Sequence, residues 1–197
     1  MRTRRISYRF SFLRFAAAIV VVGLAVSPAL GSQIFLSLNG IPGESEFKGR
    51  AGDIDVLSWS FEVKRPIDDS GTGGGRAASR AEFGDLVVTK LLDKSSPLLA
   101  KHVADGARIQ TARLALRGEG NFVEASTLEY LVIELTHVTV TKYSVTGEAG
   151  SGDITRPQET VAFSFEEIEM TYTEADFVTG QINGEVGFQW NVVTNEP

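Results

Sequence analysis

Val161-Ala162-Phe163-Ser164-Phe165 opens a stretch that continues through Glu166-Glu167-Ile168-Glu169-Met170-Thr171-Tyr172. Val161, Phe163 and Phe165 alternate with smaller or polar residues, and the apolar set then moves to Ile168, Met170 and Tyr172. Residues two apart share one face of a strand, so the first set reads as a strand and the change of parity as a β-bulge within it. The same period recurs in both directions. Ile34, Leu36 and Leu38 share a face, as do Leu57, Trp59, Phe61 and Val63, with Ser58, Ser60 and Glu62 opposite. Leu86, Val88 and Leu92 mark another strand, and Ile109, Ala112, Leu114 and Leu116 the next. Within Leu128 to Val145, Leu131, Ile133 and Leu135 face one way, and Val186, Phe188, Trp190 and Val192 form a last strand.

A single segment, Ser95 to Gly106, reads as a helix. Ser96 can cap it, Pro97 suits the first turn and Gly106 the C-terminal stop, with Leu98, Leu99, His102 and Val103 on one stripe. About seven strands and one short helix predict a mostly β fold, a closed or nearly closed barrel or a sandwich, with the helix packed outside. The turn-rich segments Asp68 to Arg80, Gly147 to Gly152 and Thr179 to Gly184 read as surface loops of one domain.

Composition narrows the function. The 197 residues include no cysteine and two histidines, His102 and His137. Disulfides, thiolate metal sites and a cysteine nucleophile are excluded, and a multi-histidine metal centre nearly so. Residues 1–31 hold five arginines and no acid, leaving 14 basic against 25 acidic residues elsewhere, a net charge of −11. So acidic a body repels nucleic acid and anionic lipid, and neither is expected as a partner. The basic stretch Arg2 to Arg14 precedes an apolar run of twelve residues, Phe15 to Val26, then Ser27-Pro28 and the small-residue site Ala29-Leu30-Gly31. That order predicts a signal peptide over residues 1–31, cleaved before Ser32, and a secreted domain over 32–197. Twelve apolar residues are too few for a bilayer core, which needs about 20, so no stable membrane insertion is expected. A start assigned too early would instead leave the domain cytoplasmic before its secretion.

No motif demands catalysis. The run Gly71-Thr72-Gly73-Gly74-Gly75 lacks the following Lys-Ser/Thr and helix of a phosphate cradle, and reads as a hairpin loop. Asp68-Asp69-Ser70 and Glu148 to Asp153 are oxygen-rich but follow no known calcium spacing. His137 and Glu134 have opposite parity and make no obvious pair, while His102 beside apolar residues reads as a half-buried packing residue. No catalytic residue, cofactor or metal ligand is assigned, and the protein is not expected to be an enzyme.

Several segments, in order, carry a resemblance. They are Ile34-Phe35-Leu36-Ser37-Leu38-Asn39-Gly40-Ile41-Pro42-Gly43-Glu44-Ser45, Ile54-Asp55-Val56-Leu57-Ser58-Trp59-Ser60-Phe61, Phe83 to Lys90, Leu92-Asp93-Lys94-Ser95-Ser96-Pro97-Leu98-Leu99, Leu131-Val132-Ile133-Glu134-Leu135 and Glu159 to Ile168. Together they resemble the haemolysin-coregulated protein (Hcp) family, the tube-forming proteins of type VI secretion. The resemblance implies an Hcp-like β-barrel with one short flanking α-helix. It further implies a homohexameric ring, stacked into a hollow tube that a contracting sheath pushes outward and whose lumen holds effectors. The implied partners are other copies of the chain and, beyond them, sheath, spike and effector proteins. The alternative is an exported Hcp-like binding module without a tube role.

By position the loop Gly40 to Gly52 corresponds to the protruding loop between neighbouring rings, which nominates Asn39, Gly40, Ile41, Pro42, Gly43, Glu44, Ser45 and Arg50 for ring stacking. Two features depart from the family: the signal peptide, and Arg50 where a histidine is often found. With −11 on each chain, ring closure needs local complementarity, for which Lys64, Arg65, Arg113 and Arg117 can face Glu166, Glu167 and Glu169 of a neighbour.

Overall fold

A computed structural model describes residues 33–68, 77–118, 128–147, 156–176, 179 and 181–197. The expected signal peptide, the glycine run Gly71–Gly75, Asp69-Ser70 and the acidic loop Glu148–Asp153 lie outside the described residues.

The strands are β1 (Gln33–Leu38), β2 (Ile54–Ser60), β3 (Val63–Lys64), β4 (Ile67–Asp68), β5 (Ala77–Ala78), β6 (Glu82–Phe83) and β7 (Leu86–Leu91). After the helix α1 (Ser96–Asp105) follow β8 (Arg108–Arg117), β9 (Glu129–Thr146), β10 (Gln158–Ser164), β11 (Glu167–Ala175) and β12 (Ile182–Asn191). The main sheet runs β10-β7-β2-β1-β8-β9-β11-β12, and β10 also pairs with β9, so six strands close on themselves. Closure removes the free edges of these strands. β3–β6 and β4–β5 form two small ribbons between β2 and β7. The β11–β12 hairpin extends the sheet past the barrel, and among the described strands β12 pairs with β11 alone.

The interior is filled by side chains at alternate positions, among them Leu36, Ile54, Leu86, Leu114, Ile133 and Phe163. The parity switch at Phe165–Ile168 is one row of a larger bend. On β8 the inward set passes from Ile109 to Ala112, on β9 from Leu135 to Val138, and along β10–β11 from Phe165 to Ile168. These steps lie side by side, since Thr111 pairs with Thr136 and Thr136 with Glu167. His137, in the middle of this line, has φ +52°. The expected bulge within one strand is therefore corrected. The strand ends at Ser164 and restarts at Glu167, and pairing with β9 keeps its register from Phe163–Val140 to Glu167–Thr136. A three-strand bend turns the sheet as the barrel closes.

Four further expectations are corrected. Leu57 is 53% exposed, because the β2–β7 register shift between Val56 and Ser58 turns it outward and hands the inward positions to Ile54, Val56 and Trp59. Leu92 lies outside β7, and the inward position after Leu86 and Val88 belongs to Lys90. On α1, which packs on β9, Leu98 and Val103 are exposed and Leu99 is the buried apolar anchor. Its N-cap is Ser95, not Ser96, while Pro97 and Gly106 take the expected places, Gly106 with φ +67°.

Candidate functional site: the loop Asn39 to Asp53 and its anchors

The loop between β1 and β2 is built as a small ladder. The amide of Gly43 donates to Gly52 O at 2.7 Å, Ser45 N to Asp53 O at 2.9 Å, and Gly52 N back to Ser45 O at 2.9 Å. A turn follows at the tip, with Arg50 N donating to Phe47 O at 2.8 Å. Ladder geometry imposes its own alternation. Ile41, Gly43 and Ser45 are buried, whereas Asn39, Gly40, Pro42, Glu44, Glu46, Lys48 and Gly49 are exposed. Gly43 cannot carry a side chain there: a Cβ would lie 2.2 Å from the carbonyl oxygen of Asp53.

The nominated stacking residues thus divide. Asn39, Gly40, Pro42 and Glu44 face outward and can touch another molecule, while Ile41, Gly43 and Ser45 seat the loop on the barrel. Arg50 is turned onto its own chain. Its guanidinium bridges Asp53 at 3.4 Å and also contacts Glu129 of β9. Glu129 in turn holds Arg113 at 2.6 Å, and Arg113 reaches Glu134 at 2.9 Å. Phe47 packs on Phe35 with ring centroids 5.3 Å apart, and the Arg117 guanidinium lies 4.8 Å above its ring. Burial first, then the neighbouring Arg50 charge, lowers the Arg117 pKa.

On the other flank, Glu44 reaches the start of α1. Its Oε1 accepts the Lys94 amide at 3.0 Å and its Oε2 accepts from Arg156 at 3.4 Å. The cleft between, of about 710 Å³, is lined by Glu44, Glu46, Asp55, Asp93, Lys94 and Arg156. Beneath it lies an ionic node that the sequence analysis missed. Lys90 and Glu159 are direct cross-strand partners on β7 and β10 and both are fully buried. Lys90 Nζ donates to Glu159 Oε2 at 2.6 Å, Asp93 Oδ1 at 2.8 Å and Leu91 O at 2.8 Å. Ser96 Oγ donates to Glu159 Oε2 at 2.8 Å, and Tyr143 to Glu159 Oε1 at 2.6 Å. Burial raises the Asp93 carboxyl, but hydrogen bonds from Lys90 and Ser95 outweigh it and hold the group below its usual range. Burial, with the bond to Glu159, pushes the Tyr143 phenol up to about 12.

The node had a legible signal. Lys90 shares parity with Leu86 and Val88, and Glu159 with Val161 and Phe163, so each is a charge on an inward row. Opposite charges on two inward rows point to a buried pair. Of the cations nominated for a neighbour, Arg113 is committed to Glu129 and Glu134, and Arg117 is only 4% exposed. Among the acids, Glu166 pairs with Arg108 and His137, and Glu167 accepts from Asn191. His102, half-buried on α1, contacts the carbonyl of Leu98 at 2.8 Å. Among the described residues no cluster of three or more His, Cys, Asp or Glu could hold a metal ion. No helix among them is long and apolar enough to cross a membrane.

Comparison with known proteins bears on this arrangement. The family model described as type VI secretion system effector, Hcp, matches residues 35–172. Protein hcp1 of Pseudomonas aeruginosa is 32% identical over 162 residues, which cover 82% of this chain and 96% of that protein. A solved type six secretion system protein superimposes with a TM-score of 0.75 at 25% identity, covering 84% of this chain and 99% of the other. Hcp1 from Salmonella typhimurium superimposes with a TM-score of 0.65 at 28% identity, covering 84% and 97%.

Proposed function

The chain belongs to the Hcp family, the tube proteins of type VI secretion, and from that premise we propose that its copies close into a hexameric ring whose loop Asn39–Arg50 meets the next ring. The observation that carries this reading is the anchoring of that loop, tied internally by its ladder, on one flank to Glu129 and on the other to the start of α1. A loop already ordered in the free subunit loses little entropy on docking. Its outward residues Asn39, Gly40 and Pro42 form the contact, and Glu44 and Arg50, both bound to their own chain, support them from either flank. Lateral contacts within a ring are heterologous, one patch meeting a different patch. The apolar side chains that β12 leaves exposed, Val186 and Phe188, suit the lateral role. Sheath, spike and effector proteins are the further partners of this reading.

The role is mechanical and needs no catalytic group. The N-terminal 31 residues act as a signal peptide removed before Ser32, so that export supplies the mature domain outside the cytoplasm. That basic-then-apolar pattern also favours a second reading, an exported barrel that binds a surface partner without forming a tube.

Electron microscopy and light scattering on purified residues 32–197, with mass spectrometry of the cellular N-terminus, test these readings. A hexamer that forms more readily as salt rises is expected, because about −66 of like charge per ring is then screened. A monomer at tens of micromolar in moderate salt, with no annular particles, would remove the ring. A processed N-terminus with that monomer would favour the second reading.

A further inference from the structure

We propose that Glu44 is the positioning residue of the docking loop, fixing its outward face by gripping the amide of Lys94. The proposal rests on the loop's role above for its consequence, though not for its geometry.

Glu44 is an exposed glutamate with both carboxylate oxygens engaged. One accepts a backbone N–H that begins the turn into α1, and the other accepts from a surface guanidinium. The two contacts differ in worth. The Arg156 pair is long at 3.4 Å, with side chains 56% and 46% exposed, and such surface pairs contribute little. The Lys94 contact, at 3.0 Å, is a charge-assisted hydrogen bond to a donor fixed by the backbone.

What fixes that donor is the buried node. Asp93, the residue before Lys94, is held at Oδ1 by Lys90 Nζ at 2.8 Å and by the Ser95 amide at 2.9 Å. Its own amide donates to Ser96 Oγ at 3.0 Å, and Ser96 is bound in turn to Glu159. The turn Asp93–Ser96 is therefore pinned to two barrel strands from below, and presents the Lys94 N–H at a set place above them. Glu44 transfers that rigidity to the loop. Without it, the arm Pro42–Glu46 keeps its ladder bonds to Gly52 and Asp53 but loses its tie to the helix side.

Hydrogen exchange with mass spectrometry on residues 32–197 tests this, comparing wild type with Glu44→Ala, Glu44→Gln and Arg156→Ala. Glu44→Ala is expected to speed exchange of the loop amides about tenfold, the effect of losing one charge-assisted bond, with β8 and β9 unchanged. Glu44→Gln keeps an acceptor oxygen for Lys94 and should restore slow exchange. Arg156→Ala should stay within about twofold of wild type. Unchanged loop exchange in Glu44→Ala, or Glu44→Gln as fast as Glu44→Ala, overturns the proposal. A parallel measurement of ring-on-ring stacking should show Glu44→Ala still forming rings but stacking less. Wild-type chains that form no rings would defeat the tube reading alone, since exchange reports on the loop in any assembly state.

Discussion

The barrel wall and the terminal hairpin carry the same sequence pattern and meet opposite fates. Val161 and Phe163 on β10 are completely buried, whereas Val186 and Phe188 on β12 are 68% and 41% exposed. Both pairs alternate with polar or small residues, each on a continuous strand whose pairing shifts register once, at Ala162/Phe163 for β10–β9 and at Glu174/Ala175 for β11–β12. The difference is that β10 lies in the closed ring with neighbours on both sides, while β12, among the described strands, pairs with β11 alone. Alternation establishes that a strand has an apolar face, and pairing establishes whether anything covers that face.

The contrast can be broken most directly in the wall. Phe163→Ala should cost about 3–5 kcal/mol in urea denaturation, as expected for a large core truncation. A loss no greater than that of Phe188→Ala would abolish the distinction. Lys90→Met should cost a similar amount, about 3–5 kcal/mol, because it strands Glu159 in the interior and takes a partner from Asp93. Adding Glu159→Met should recover part of that loss, since the apolar pair no longer buries an unpaired charge at that position.

Smaller effects sharpen the comparison at the loop and the node. Gly43→Ala forces its Cβ against the Asp53 carbonyl and should lower stability by about 1–3 kcal/mol, read as a fall in Tm. The pH dependence has two limbs. The folded Tyr143 pKa is raised from 10.0 to about 12, so its contribution is intact below pH 10 and is lost as pH rises towards 12. Tyr143→Phe should flatten that alkaline limb of a stability–pH curve. The folded Asp93 pKa is lowered from 3.8, so its contribution is present above that value and fades as the pH falls below it. Asp93→Asn should flatten the acid limb. The smallest effect on the isolated subunit is expected on β12, where Val186→Ser should change stability by under about 0.5 kcal/mol. Sedimentation of the same variant should show weaker ring formation if this face is covered by a neighbour.

Much of the architecture is legible in the sequence because apolar alternation reports local backbone geometry. The inward rows Leu114–Leu116, Ile133–Leu135 and Val161–Phe163, the helix stop at Gly106 and the Hcp-type motifs were all readable. Leu57 misled because a register shift on β2 turns a correctly patterned residue outward. The candidate site was half legible. The motif Gly43-Glu44-Ser45 located the loop, but the motif does not say that Gly43 and Ser45 face the barrel while Glu44 faces Lys94. Arg50 looked free for a neighbouring ring, and its partner Glu129 lies on a strand far along the chain.

By itself the sequence determined that this chain makes strands, the short helix α1 and an Hcp-family loop, since each depends on residues close together along the chain. Only the tertiary structure decided that β10 closes onto β7 and β9, that Lys90 meets Glu159 across that closure, and that the loop is tied to both flanks. The reason is physical: a period of two chooses a face for each side chain, while burial and ion pairing depend on which distant strands the closing barrel brings alongside.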